Sequence, residues 1–116
     1  MTDLEMTKLC AEAMGYTPSV EYGWPQGASI NYYDEHNEHH YYWRPLIDDA
    51  QAMALVKKFR LTVYWHEADP QGWLVSVPSV SVPADEYMGY GTGDKNVNAA
   101  IVRCVAKMQK AKSVAA

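Results

Sequence analysis

The feature that most constrains the fold is the stretch from Tyr41 to Arg60, which ends an aromatic strand, turns at a proline and begins an amphipathic helix. Pro45 disfavours helical backbone at the residue before it and predicts a corner. Asp48 is a suitable N-cap, and Gln51 stands three residues later, where a capping box has its second member. The apolar positions that follow have the spacing of one buried helical face: Ala52, Leu55, Val56 and Phe59.

Two further helices are predicted towards the ends of the chain. Thr2 and Glu5 form a capping-box pair, and Gly15 is suited to end the helix that they begin. Asp94 is the predicted N-cap of the last helix. The apolar stripe of that helix consists of Val97, Ile101, Cys104, Val105 and Met108.

A first hairpin is predicted between the first two helices. Residues 29–33 and 39–43 are rich in aromatic side chains and flank a polar segment, as strands flank a turn. Aromatic residues occupy both faces of these strands. Strict alternation would place Tyr41 and Trp43 on one face and His40 on the other.

A second hairpin is predicted between the second and third helices. Residues 61–66 and 73–77 alternate apolar and polar side chains around turn-forming residues at 68–72. Pro78 and Pro83 lack the amide hydrogen that a central strand needs, so the segment after the hairpin is an edge or a loop.

The predicted order of elements is therefore α-β-β-α-β-β-α. We expect one α+β domain over residues 1–116, built as a sandwich in which a four-stranded, mainly antiparallel sheet packs against three helices. We expect residues 110–116 to fray.

The aromatic composition is unusual, with nine Tyr and four Trp but a single Phe. Tyr and Trp combine an apolar ring with a polar group, which suits binding surfaces but also the half-exposed positions of a small sheet. Both interpretations stay open. The candidate binding residues are Trp24, Tyr32, Tyr33, Tyr41 and Trp43, with Arg44, Thr92 and Lys95 as polar partners.

The charge and the cysteines limit the partners and the compartment. A formal net charge of −4 disfavours nucleic acid as a partner, although the chain from Lys95 onward carries five bases and no acid. Cys10 and Cys104 fall on apolar helical positions, which predicts two reduced core thiols. No signal-peptide pattern or membrane-length apolar run is present, so we expect a cytoplasmic protein without a membrane partner.

The densest group of potential metal ligands lies at the tip of the first hairpin. It consists of His36, His39 and His40 among Asp34, Glu35 and Glu38. A helical turn would bring His36 and His40 together, whereas a strand would point His39 and His40 to opposite faces. No cysteine lies nearby to complete a typical structural zinc site. A solvated polar turn is the preferred interpretation, and a metal site is the alternative.

The glycine-rich segment before the last helix is a second alternative site. Gly89, Gly91 and Gly93 precede a helix start, where free amide groups can bind an anion. The segment lacks the P-loop lysine and the dinucleotide-binding spacing, so a flexible loop is preferred over a small-nucleotide site with Thr92 and Lys95. The sequence also lacks a Gly-x-Ser-x-Gly motif for nucleophilic catalysis.

Three segments resemble one family in the order that the family shows. Residues 9–16, 43–53 and 98–103 are similar to the Met-Gly-aromatic, Pro-Leu-x-Asp-Asp and Ala-Ile-Val segments of the phage ABA sandwich domain proteins. Residues 34–40 and 87–94 have no counterpart in that pattern. The resemblance implies a phage or prophage gene and a sheet covered by helices, and it transfers no catalytic or binding residues.

A second resemblance covers the chain from Leu61 to Met108. The succession of strand, turn, strand, loop and helix is similar to HicB-type antitoxins and double-stranded-RNA-binding domains. The latter contact phosphates through a basic patch at the start of the last helix. Here that position carries Asp94 beside Lys95, so nucleic-acid binding is not expected.

Together these features predict a small phage- or prophage-encoded, non-enzymatic binding protein that inhibits a host component such as a defence system. Its partner would be a host protein, it needs no cofactor, and a homodimer is compatible with the sequence. One alternative is a sponge for a nucleotide second messenger, with Arg44, Lys95 or Arg103 on the phosphate. Others are a metal-dependent enzyme that uses the His36–His40 cluster and a purely structural or regulatory phage component without a small ligand.

Overall fold

The computed structural model describes residues 1–19, 29–67, 72–76 and 96–115, which form an α+β arrangement of helices and two small sheets, as the sequence predicts. The helices are α1 (Asp3–Ala13), α2 (Asp49–Phe59) and α3 (Val97–Ala115). The strands are β1 (Thr17–Pro18), β2 (Ile30–Tyr33), β3 (His39–Trp43), β4 (Thr62–His66) and β5 (Gly72–Ser76).

The two predicted hairpins are present, but they do not share the single four-stranded sheet that we expected. Within the described residues, β4 and β5 form a two-stranded antiparallel sheet of their own. The first hairpin forms a three-stranded antiparallel sheet in the order β1-β2-β3. Thr17 and Pro18 pair with Tyr33 and Tyr32 and so occupy the second edge of β2. The sequence did not predict this strand, because two residues ending in proline give no recognisable strand pattern.

The core is centred on α3, which contacts α1, α2 and β5. The predicted apolar stripe is buried at Ile101, Cys104, Val105 and Met108, and burial extends to Ala100, Val102 and Ala106 because neighbours cover the helix from several sides. The helix continues to Ala115, past the point where we expected fraying. In the described part of the chain, no helix has the length and hydropathy that are needed to cross a membrane.

The helices begin at capping side chains. Thr2 Oγ1 accepts the Glu5 amide at 3.1 Å, and Asp48 Oδ1 accepts the Gln51 amide at 3.0 Å, both as predicted. For α3 the cap is Asn96, whose Oδ1 accepts the Ala99 amide at 3.1 Å. The predicted cap, Asp94, lies outside the described residues.

Trp43 joins the first hairpin to the helical core. Its side chain is 1% exposed, and its Nε1 donates to the Thr7 carbonyl of α1 at 3.1 Å. The ring meets those of Tyr16 and Tyr32 edge-on, at centroid distances of 5.3 and 5.9 Å. Trp43 was a candidate binding residue, but its buried indole offers almost no surface to a partner. The residue is a structural anchor.

Replacing Trp43 tests this anchor. We expect Trp43→Ala to lower the free energy of unfolding by about 3–5 kcal/mol, because it leaves a cavity. Trp43→Phe keeps most of the ring but loses the donor to Thr7, and we expect a smaller loss of about 1–3 kcal/mol. Trp65→Phe, at a position 39% exposed, is the matched control with an expected change below about 1 kcal/mol. Denaturant unfolding measures all three, and equal losses at the two positions would contradict the role of Trp43.

The two cysteines are free and buried, as predicted. The Cys10 thiol donates to the Val102 carbonyl at 3.4 Å. Burial, and then the nearby Cys104 thiol, raise the pKa of Cys10. Burial also raises the pKa of Cys104 from 9.0 to about 11, against a smaller opposite effect of the Lys107 ammonium. Neither thiol is therefore a ready nucleophile near neutral pH.

We expect both thiols to resist a disulfide reagent at pH 8 in the native protein and to react at once in denaturant. The pKa of the Cys104 thiol rises from 9.0 in the unfolded chain to about 11 in the folded protein. Its protonated form therefore stabilises the folded state below pH 9.0, and this stabilisation is lost as the pH rises to about 11. The double variant Cys10→Ala, Cys104→Ala should show a shallower alkaline loss of stability. Rapid native modification at pH 8 would contradict this description.

Candidate functional site

The first hairpin contains a bulge at Tyr42. Ile30 pairs with Trp43, whereas Tyr32 pairs with His40, so Asn31 lies opposite two residues of β3. Tyr42 accommodates the extra residue with a φ of 63°. Its amide donates to Asn31 Oδ1 at 3.2 Å. This left-handed conformation is rare for a bulky residue, so Tyr42 is a backbone outlier.

The bulge changes which side chains share a face. His40 and Trp43 both contact the Tyr32 ring, although strict alternation placed them on opposite faces. Tyr41 and Tyr42 follow one another in the chain, yet they are 54% and 57% exposed. The prediction that Tyr41 and Trp43 share one face of the strand is therefore wrong. Bulges are known to re-aim side chains in this way.

The first turn of α2 holds the segment after the bulge. The Gln51 side chain donates through Nε2 to the Tyr42 carbonyl at 2.8 Å and accepts the Arg44 amide through Oε1. The backbone amide of Gln51, the predicted capping partner, donates to Asp48. Its side-chain amide therefore fixes the backbone on both sides of Trp43, at Tyr42 and at Arg44.

This corner carries the exposed side chains of Tyr41, Tyr42 and Ile47 and the half-buried Arg44, which together we call the corner surface. The Arg44 guanidinium lies 5.2 Å from the centroid of the Tyr42 ring, a cation–π distance. Ile47 is 73% exposed, and its amide donates to the Arg44 carbonyl at 3.0 Å in the turn before α2. The sequence predicted Tyr41 and Arg44 as binding residues. It missed Tyr42 and Ile47, because their exposure follows from the bulge and the turn.

The other predicted aromatic residues are less accessible. Tyr32 is half-buried, and its ring stacks on Tyr16 at 4.4 Å and on His40 at 5.1 Å. Burial is the main cause that raises the pKa of Tyr32. Tyr33 is half-buried and contacts the His39 ring edge-on. Three further predicted site residues lie outside the described part of the chain: Trp24, Thr92 and Lys95.

The tip of the hairpin is organised by the Asp34 carboxylate. Its Oδ1 accepts the amides of His36 and Glu38 at 2.8 and 2.9 Å, and its Oδ2 lies 2.7 Å from His40 Nε2. The Glu38 amide is the main cause that lowers the pKa of Asp34, and the His40 side chain is the next. Asn37 turns the chain with a φ of 61°.

This turn determines which potential ligands meet. Asp34, Glu38 and His40 each offer an atom, and these atoms lie within 4.8 Å of one another. His36 is exposed and stands beside Glu35 at 3.9 Å instead of joining that group. His39 contacts the rings of Tyr33 and Tyr41, away from His40. The predicted candidates His36, His39 and His40 therefore separate, and only His40 belongs to the converging set in the described residues.

Two substitutions of Asp34 separate the turn from the charge. Asp34→Asn keeps an oxygen for the amides of His36 and Glu38, whereas Asp34→Ala removes it and leaves both donors unpaired. We expect Asp34→Ala to shift the denaturation midpoint clearly more than Asp34→Asn. Because the folded pKa of Asp34 lies below 3.8, its charge stabilises the fold above that pH and stops doing so in acid. Equal effects of the two variants would contradict the importance of the turn.

No protein-family model, curated protein or solved structure matches this chain. The resemblance to the phage ABA sandwich domain proteins therefore depends on the three sequence segments given above, and a phage origin stays a prediction.

Proposed function

We propose that this chain is a small, non-enzymatic binding protein that contacts a partner protein through the corner surface. Following the sequence resemblance, the partner is a protein of the host cell, and the chain is a phage or prophage product that inhibits it. The single observation that carries the proposal is the conformation of Tyr42, an exposed aromatic residue in the left-handed region.

That conformation has an intrinsic energetic cost, which the surrounding structure must offset. A left-handed backbone costs a non-glycine residue about 1–2 kcal/mol, and glycine or asparagine would occupy the position more easily. Residues retained in such conformations cluster at functional sites. Here the conformation puts a second aromatic ring beside Tyr41 in solvent. Burying one such ring against a partner would return on the order of 2 kcal/mol.

The chemistry of the corner surface fits a protein partner. Tyr and Arg are the residue types that contribute most to interface energy, and Ile47 adds an exposed aliphatic group. The Gln51 and Asn31 hydrogen bonds hold the backbone of the corner in advance, which lowers the entropy lost on binding. The rival nucleotide-sponge hypothesis is less favoured, because Tyr32 already stacks on two rings and Arg44 lies over Tyr42.

Tyr42→Gly tests the proposal, and we expect the variant to keep the fold. Glycine adopts the positive φ readily, so we expect the free energy of unfolding to stay within about 1 kcal/mol of wild type or to rise. Binding should fall at least tenfold, because the ring is lost. Wild-type and variant proteins are used as baits in a bacterial host lysate, and the affinity for any stoichiometric partner is then measured with purified components.

Tyr64→Thr is the matched control, since Tyr64 is 39% exposed on the separate β4–β5 sheet and threonine also favours strands. It should capture the same partner with unchanged affinity. Capture by Tyr42→Gly at wild-type affinity would refute the corner surface as the contact. Repeated failure of the wild-type bait to retain a stoichiometric protein would refute the binding function itself.

A further inference from the structure

We propose that the tip of the first hairpin binds a divalent transition-metal ion, with Zn²⁺ as the best match, through Asp34, Glu38 and His40. The site shares no residue with the corner surface, although His40 directly precedes Tyr41 in β3. It therefore does not depend on the proposed function.

The spacing of the three side chains suits one ion. Their ligand atoms lie within 4.8 Å of one another, and Asp34 Oδ2 is 2.7 Å from His40 Nε2. Zinc binds nitrogen and oxygen ligands at about 2.0–2.2 Å, so neighbouring ligands in a tetrahedral site are roughly 3.4 Å apart. An ion could replace the hydrogen bond between Asp34 and His40 if Oδ2 and Nε2 moved apart by less than about 1 Å.

Two of the ligands are oriented by contacts outside the metal-binding atoms. Asp34 uses Oδ1 for the amides of His36 and Glu38, which leaves Oδ2 directed at His40. The His40 ring is stacked on Tyr32 at 5.1 Å with an interplanar angle of 16°. Such surrounding contacts fix the orientation of metal ligands and contribute to metal affinity. A stacked imidazole distinguishes this group from an ordinary patch of surface carboxylates.

The donor atoms decide the class of ion. One imidazole and two carboxylates, with no thiolate, suit Zn²⁺ or Mn²⁺, whereas Ca²⁺ prefers a larger set of oxygens and Cu⁺ prefers sulfur. The charge also fits, since Asp34, Glu35 and Glu38 fall in a segment, residues 34–40, that contains no lysine or arginine. A dication would relieve the repulsion between the two ligand carboxylates.

The test uses the full chain without an affinity tag, treated with chelator and then titrated calorimetrically with ZnCl₂. We expect one ion per chain with a dissociation constant in the micromolar range. Glu38→Gln should weaken binding at least tenfold without harming the fold, since Glu38 is exposed, and His40→Gln should do the same. Zinc should also raise the thermal midpoint of the wild type but not of these two variants.

His36→Gln is the matched control, because His36 is an exposed histidine in the same turn but outside the converging group. It should bind zinc within twofold of wild type. Equal weakening by His36→Gln and His40→Gln would mean adventitious surface binding only and would overturn the site. Absence of saturable binding at one ion per chain would overturn it as well.

Discussion

The structure depends above all on the burial of Trp43 and on its hydrogen bond to the Thr7 carbonyl. This contact ties the end of β3 to α1. Pro45, two residues later, is also buried, so the chain enters α2 from a fixed point. A regular strand would place His40 and Trp43 on opposite faces. The bulge lets both lie against Tyr32, and the outward position of Tyr42 is its direct consequence.

The same arrangement explains why the corner surface is a good candidate for recognition. The inward indole, the Asn31 side chain and the Gln51 amide together fix the backbone from Tyr42 to Arg44. A surface whose exposed rings are held by buried neighbours loses little conformational entropy when it binds. The hairpin thus packs against the core through Trp43 and leaves the rings of Tyr41 and Tyr42 exposed.

Local sequence patterns predicted much of this fold. They predicted little of the site, because the site depends on contacts between distant segments. The caps at Thr2 and Asp48 and the stripe on α3 involve residues close in sequence, so their patterns could be read directly. The pairing of Thr17 and Pro18 with β2, and the bulge at Tyr42, follow from contacts between distant segments. The sequence placed His40 in one cluster with Asp34 and Glu38, but it did not show which members of that cluster converge, because the Asp34 turn decides this.

Hydroxyl-radical footprinting of the chain, alone and in complex with a captured partner, would test the central claim most directly, because it reports solvent access to individual side chains. Our account predicts that Tyr41, Tyr42 and Ile47 lose reactivity in the complex while Tyr64 and Trp65 keep theirs. Protection of Tyr64 and Trp65, with Tyr41 and Tyr42 unchanged, would contradict it and would place recognition on the β4–β5 sheet.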